Sequence, residues 1–164
     1  PSATATRHLG YHNKRWDKVF CDGVRFGGDN TDATTLDDYE EGFWTPTMSG
    51  ATLKSHHLSN GSYPNKYTKI GRQVSLDLAI SWSAVTGGTE LKIGGIPFTA
   101  VGGLWGAGLW YNAWSVQPVD LMFWVGGNTT YMKFYTAVNG GVSALTQSDM
   151  GTSGNIYGSV TYFA

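Results

Sequence analysis

The sequence predicts an all-β protein, an antiparallel β-sandwich of the jelly-roll-like kind, on three observations. From Lys69 to Trp82 it reads KIGRQVSLDLAISW, with Val74, Leu76, Leu78, Ile80 and Trp82 at every second position and Ser75, Asp77, Ala79 and Ser81 between them. Side chains on a strand alternate faces, so this run has one apolar and one mostly small or polar face; a helix would scatter the same residues around its circumference. Charged residues make up only 14% of the chain, against 14% aromatic residues and 23 glycines, a profile poor in helix formers and rich in strand and turn formers. Further short alternating runs recur along the chain with turn signals between them, and no convincing helical period is present.

Taken in order, Pro1 to Gly10 is small, polar and aperiodic, and reads as an arm or linker. Trp16, Lys18 and Phe20 then alternate with Asp17, Val19 and Cys21, and Asp22-Gly23 follows where a tight hairpin turn would stand. One isolated hairpin is marginal in water, so it needs a partner surface, and other copies of the chain would supply one. The polar GGDNTD at 27–32 closes this part, dividing the chain into an arm or shaft segment, 1–35, and a sandwich domain, 36–164. Leu36 to Gly42 is dense in carboxylates and reads as a solvated turn or a salt-bridge rim between subunits. Phe43 to Thr47 is a short strand, which Pro46 places at a sheet edge or strand end because proline cannot donate to the ladder. Ser49 to Asn65 is a loop.

Beyond the central strand, Glu90 to Gly94 alternates again. Asp120 to Val125 is continuously apolar after the aspartate, as in a strand covered on both faces, and Thr129 to Val138 alternates. Gly140 to Gly154 is loop-like, and Asn155 to Ala164 closes the chain as a terminal strand.

Composition narrows the function classes. A formal net charge of -1, with no basic cluster beyond Lys14-Arg15, leaves no footprint for nucleic acid or an anionic membrane. No apolar run approaches the roughly 18 to 20 residues of a membrane-spanning helix. Cys21 is the single cysteine, so an intrachain disulfide framework is impossible. Pro1, without an initiator methionine, points to a fragment or processed product.

Chemistry-bearing residues are few. Asp37, Asp38, Glu40 and Glu41 invite a paired-carboxylate reading, since glycoside hydrolysis needs two carboxyl groups roughly 5 to 10 Å apart. Adjacent residues on an extended segment point to opposite sides, which argues against it. His56-His57 diverge in the same way, and no further ligand lies at metal spacing. GGLWGAG lacks the Lys-Ser/Thr ending of a phosphate loop. We therefore expect no cofactor, no metal and no catalysis. The best binding candidate is the aromatic stretch Trp105, Trp110, Tyr111, Asn112 and Trp114. Sugar rings have apolar C–H faces that stack on indole and phenol rings, and an amide bonds pairs of hydroxyls. The competing reading places these tryptophans in the core or in a subunit interface.

LDDYEEGFWTPT at 36–47, YTKIGRQV at 67–74 and LKIGGIPF at 91–98 resemble the C-terminal domain found on many bacteriophage tail fibres and tailspikes. The upstream LGYHNKRWDKVF, from Leu9, is similar to units common in phage fibre shafts. The resemblance covers residues 9 to 98. It implies a homotrimeric, β-rich tip domain of a tail adhesin, located in the virion, that binds a host bacterial surface glycan. It also leaves open a trimerisation module or self-cleaved intramolecular chaperone, and a non-catalytic C-terminal part of a polysaccharide depolymerase.

Overall fold

A computed structural model describes residues 12–26, 35–36, 38–53, 65–114 and 120–164, without the side chains of Ala113 and Trp114. Asp37, His56, His57 and the first ten residues, all singled out by the sequence, lie outside the described residues. The chain forms two compact units, Pro1–Asp37 and Asp38–Ala164.

In the first unit, β1 (Val24–Arg25) pairs antiparallel with β2 (Thr35–Leu36), setting Val24 opposite Leu36 and Arg25 opposite Thr35. The ribbon therefore differs from the expected hairpin. Trp16 to Phe20 forms no strand, and Val24–Arg25 pairs forward in the chain rather than back across Asp22-Gly23. Trp16–Phe20 presents two large aromatics that no apolar surface among the described residues covers, which is why alternation alone does not fix a strand there. Phe20 is 92% exposed.

The second unit is a sandwich of two six-stranded sheets, entirely antiparallel. Among the described residues its one helical feature is a 3-10 turn at Gln147–Asp149. Sheet one runs in the order β10 (Trp110–Trp114), β14 (Met150–Phe163), β7 (Gln73–Ser83), β6 (Lys66–Ile70), β3 (Tyr39–Phe43), with β5 (Thr52–Leu53) also on β7. Sheet two runs β4 (Thr47–Met48), β8 (Lys92–Gly94), β12 (Tyr131–Val138), β11 (Leu121–Val125), β9 (Leu104–Ala107), with β13 (Gly141–Ala144) also on β12.

β7 is the longest-paired element of sheet one. Val74, Leu76, Leu78, Ile80 and Trp82 are each at most 1% exposed. They share the core with Ile156, Val160 and Tyr162 of β14 and with Leu121, Phe123, Val125, Met132 and Phe134 of sheet two. Burying one such side chain stabilises by about 1.5–3 kcal/mol, so this single row accounts for a large part of the sandwich's cohesion.

Several expected boundaries move. The carboxylate-rich stretch is not a turn but the edge strand β3, where alternation sends Glu40 and Glu41 to opposite faces. Its charges are used on the spot: Asp38 pairs with Lys69, Glu40 accepts from the Tyr67 hydroxyl, and Glu41 accepts from the Tyr39 hydroxyl. Phe43 to Thr47 is not one strand but a crossing from β3 in sheet one to β4 in sheet two, with Trp44 and Pro46 buried between. β11 is covered on one face by the core, while Met122 and Trp124 on its other face stay half-buried. The terminal strand begins at Met150 rather than Asn155, and Gly141–Ala144 is a strand. Glycine-rich text hid both. Gly154 belongs in its strand because a side chain there would strike the Trp82 ring.

Candidate functional site

The five aromatic-stretch residues divide between the two sheets. β9 and β10 are separated by Gly108 and Leu109 alone, yet β9 pairs with β11 in sheet two and β10 pairs with β14 in sheet one. Gly108 takes φ +88, open to glycine at little cost, and the buried Leu109 plunges into the core as the chain changes layers. Trp105 and Trp110, each 55% exposed, therefore look out from opposite faces of the sandwich.

Trp110 stacks on Tyr157 directly across the β10–β14 pair, with ring centroids 5.5 Å apart. Tyr111, one residue on, turns inward and packs against the core. Asn112 is structural: its Oδ1 accepts from the backbone N and the Nδ2 of Asn155, at 3.1 and 3.0 Å. Trp114 stands opposite Met150 at a register shift in β10.

Trp105 occupies the richer setting. In β9, Leu104 and Gly106 face inward, and Gly106 is small because the Phe123 ring lies under it. Trp105 consequently faces outward, opposite Trp124 in the β9–β11 register. Its ring centroid lies 4.8 Å from that of Tyr135 and 6.4 Å from that of Trp124, both in tilted arrangements of the kind aromatic pairs favour. Trp124 is paired in register with Lys133, whose Nζ lies 5.6 Å from the indole centroid. The result is a braced aromatic ledge with one edge open to solvent.

A charge network borders this ledge. Lys133 Nζ donates to Glu90 Oε1 at 3.0 Å, and Lys92 Nζ approaches Glu90 Oε2 at 3.4 Å. The hydrogen bond from Lys133 holds the Glu90 carboxyl below its usual range, against a smaller opposing effect of burial. The same bond pushes the Lys133 ammonium up. Lys92 also lies 5.2 Å from the Tyr131 ring centroid. Glu90 is thus a fixed acceptor flanked by two ammonium groups.

Sequence reasoning missed Trp124, Tyr135, Lys133 and Glu90. The available signal was the outward set of two adjacent alternating strands, Met122 and Trp124 against Tyr131, Lys133 and Tyr135, which only the β11–β12 register joins to Trp105. Among the described residues no group of three or more histidine, cysteine, aspartate or glutamate side chains is placed to hold a metal ion. No helix there is long and apolar enough to cross a membrane.

The sandwich has a solved counterpart. The crystal structure of the Dettilon tailspike protein matches 77% of this chain with a TM-score of 0.60 and 16% sequence identity. The match takes in 24% of the tailspike chain, so this protein spans about a quarter of that length. At that identity the likeness is one of fold. No family model and no curated protein matches the sequence.

Proposed function

We propose that this chain is the tip domain of a phage tail adhesin, which binds a host bacterial surface glycan through the outer face of sheet two. The observation that carries the reading is the ledge of Trp105, Trp124 and Tyr135, a half-exposed indole held in place by two further rings. A pyranose ring stacks its C–H face on such an indole, and ammonium and carboxylate groups at the rim bond its hydroxyls. The shared fold with part of a tailspike, together with the motif resemblance of residues 9 to 98, supports the tail setting. We assign the domain binding rather than catalysis. Glu90 is held below its usual range by Lys133, whereas a glycosidic general acid needs the opposite displacement.

The same reading makes the protein a homotrimer. Trp16, Phe20 and Phe26 in the first unit are each more than 60% exposed, and side chains of that size in a unit whose described pairing is one short two-stranded ribbon call for cover from other copies.

The test is Trp105→Ala, with the fold checked by circular dichroism and binding measured on host cells and on polysaccharide extracted from them. Affinity should fall about tenfold, the loss of roughly 1.4 kcal/mol that one good stacking contact supplies. Trp110→Ala, on the opposite face, should stay within about twofold. Undiminished binding by a folded Trp105→Ala protein overturns the proposal.

A further inference from the structure

The outer face of sheet one holds a separate depression. β3, β6 and β7 lie side by side there, and their registers set Glu41 beside Thr68 and Thr68 beside Ser75 in one row. Phe43 pairs with Lys66 in the next row, and Asp77 follows two residues after Ser75 on the same face of β7. These six residues line an open hollow of about 340 Å³, at the small end of the ~300–1,000 Å³ typical of small-molecule sites.

Its lining combines three kinds of group. Phe43 is 56% exposed and offers a ring face, with the Lys66 Nζ 5.9 Å from its centroid. Thr68 and Ser75 supply hydroxyls. Glu41 and Asp77 supply carboxylates, which outnumber the single ammonium and leave the hollow negative. Glu41 is engaged by the Tyr39 hydroxyl at 2.7 Å. Asp77 gives only its backbone carbonyl, to Trp44 Nε1 at 3.1 Å, and among the described residues its carboxylate has no hydrogen bond or ion pair.

From this arrangement we infer that the hollow is a second saccharide site, specific for an amino sugar carrying a free ammonium group. The sugar's apolar face lies on Phe43, its hydroxyls reach Thr68 and Ser75, and its ammonium pairs with the Asp77 carboxylate. Acidic sugars are rejected by the same two carboxylates that attract the ammonium. The site stands on a different sheet from Trp105 and is independent of the function proposed for that ledge.

Amide-resolved NMR titration of the full chain tests it with defined trisaccharides: the glucosamine trimer, its fully N-acetylated form, and trigalacturonate. The glucosamine trimer should shift the amides of Phe43, Thr68, Ser75 and Asp77 and bind several-fold more tightly than the acetylated form, while trigalacturonate leaves those amides in place. Asp77→Asn should erase the preference between the first two probes, and Phe43→Ala should weaken both about tenfold. Unmoved groove amides with the glucosamine trimer, or equal binding of trigalacturonate, overturn the inference. Because the readout is residue by residue, a shift confined to Trp105, Trp124 and Tyr135 refutes this site while supporting the other.

Discussion

Replacing Asn65 tests how sheet one is held where its strand pairing runs out. β7 pairs with β6 over Gln73–Leu76 and with β5 over Trp82–Ser83, so among the described residues the edge between them faces no strand. Asn65 and Trp44 close that gap. The Ala79 backbone N donates to Asn65 Oδ1 at 2.7 Å, Trp44 Nε1 donates to the Asp77 carbonyl, and Trp44 N donates to the Asn65 carbonyl at 3.0 Å. Asn65 is itself fully buried. Asn65→Ala strips the acceptor from a buried N–H, which costs about 1–3 kcal/mol before any loss of packing. With packing included we expect about 2–3 kcal/mol, or a fall in Tm of roughly 5–10 °C at this chain length. Urea unfolding followed by tryptophan fluorescence, with the m-value unchanged, measures it. Asn65→Asp keeps an oxygen at the same place but buries a charge. Burial raises that carboxyl's pKa above its unfolded value, so the variant's deficit should shrink as pH falls and the group protonates. An Asn65→Ala protein within about 0.5 kcal/mol of the parent would show that Ala79 N finds another acceptor, and the reasoning would fail.

Two further changes probe the fold. Gly95 has φ +84, and a Cβ there would press into the Thr45 carbonyl oxygen, so Gly95→Ala should destabilise by about 2 kcal/mol or more. Gly140, at φ +88 with open space around it, should lose only about 1 kcal/mol on the same change, and equal losses in chemical denaturation would contradict the steric account. Tyr162 is fully buried, and burial pushes its hydroxyl up to about 12, partly offset by the bond its oxygen accepts from the Phe98 backbone N–H. A native pKa above the unfolded one, near 10, means the folded state holds the proton longer. Stability from this group is therefore complete below about pH 10 and declines as pH rises towards 12. Tyr162→Phe should flatten that stretch of the stability–pH curve, and an unchanged slope would refute the assignment.

The fold class and the core row of β7 were legible because a period of two survives over nine residues with every apolar position filled. Leu121–Val125 was legible as a strand but not in its covering, because Met122 and Trp124 are apolar residues on an outward face. β3 was not legible, since Glu40 and Glu41 carry no apolar alternation and are held in the sheet by pairing with β6. The start of β14 was hidden because Gly151 and Gly154 interrupt its pattern, although Gly154 is there to clear the Trp82 ring. For the candidate site, proximity in sequence misled: three tryptophans within ten positions look like one patch. Trp105's actual neighbours, Trp124 and Tyr135, are nineteen and thirty residues away and arrive through strand register.

Two of the crossings between sheets explain why the outer faces differ chemically. At Trp44–Pro46 and again at Gly108-Leu109 the chain leaves one layer for the other, each time burying an apolar residue in transit. Outward side chains before and after a crossing are thereby committed to opposite surfaces. The first crossing leaves Glu41 and Phe43 on sheet one, beside Lys66 and Asp77; the second leaves Trp105 on sheet two, beside Trp124 and Lys133. A carboxylate-rich hollow and a lysine-bordered aromatic ledge can then coexist in one small domain without their charges meeting, since the whole apolar core lies between them. A ligand drawn to one face gains nothing from the other, so substitutions at Trp105 and at Asp77 should act additively on any glycan that engages both.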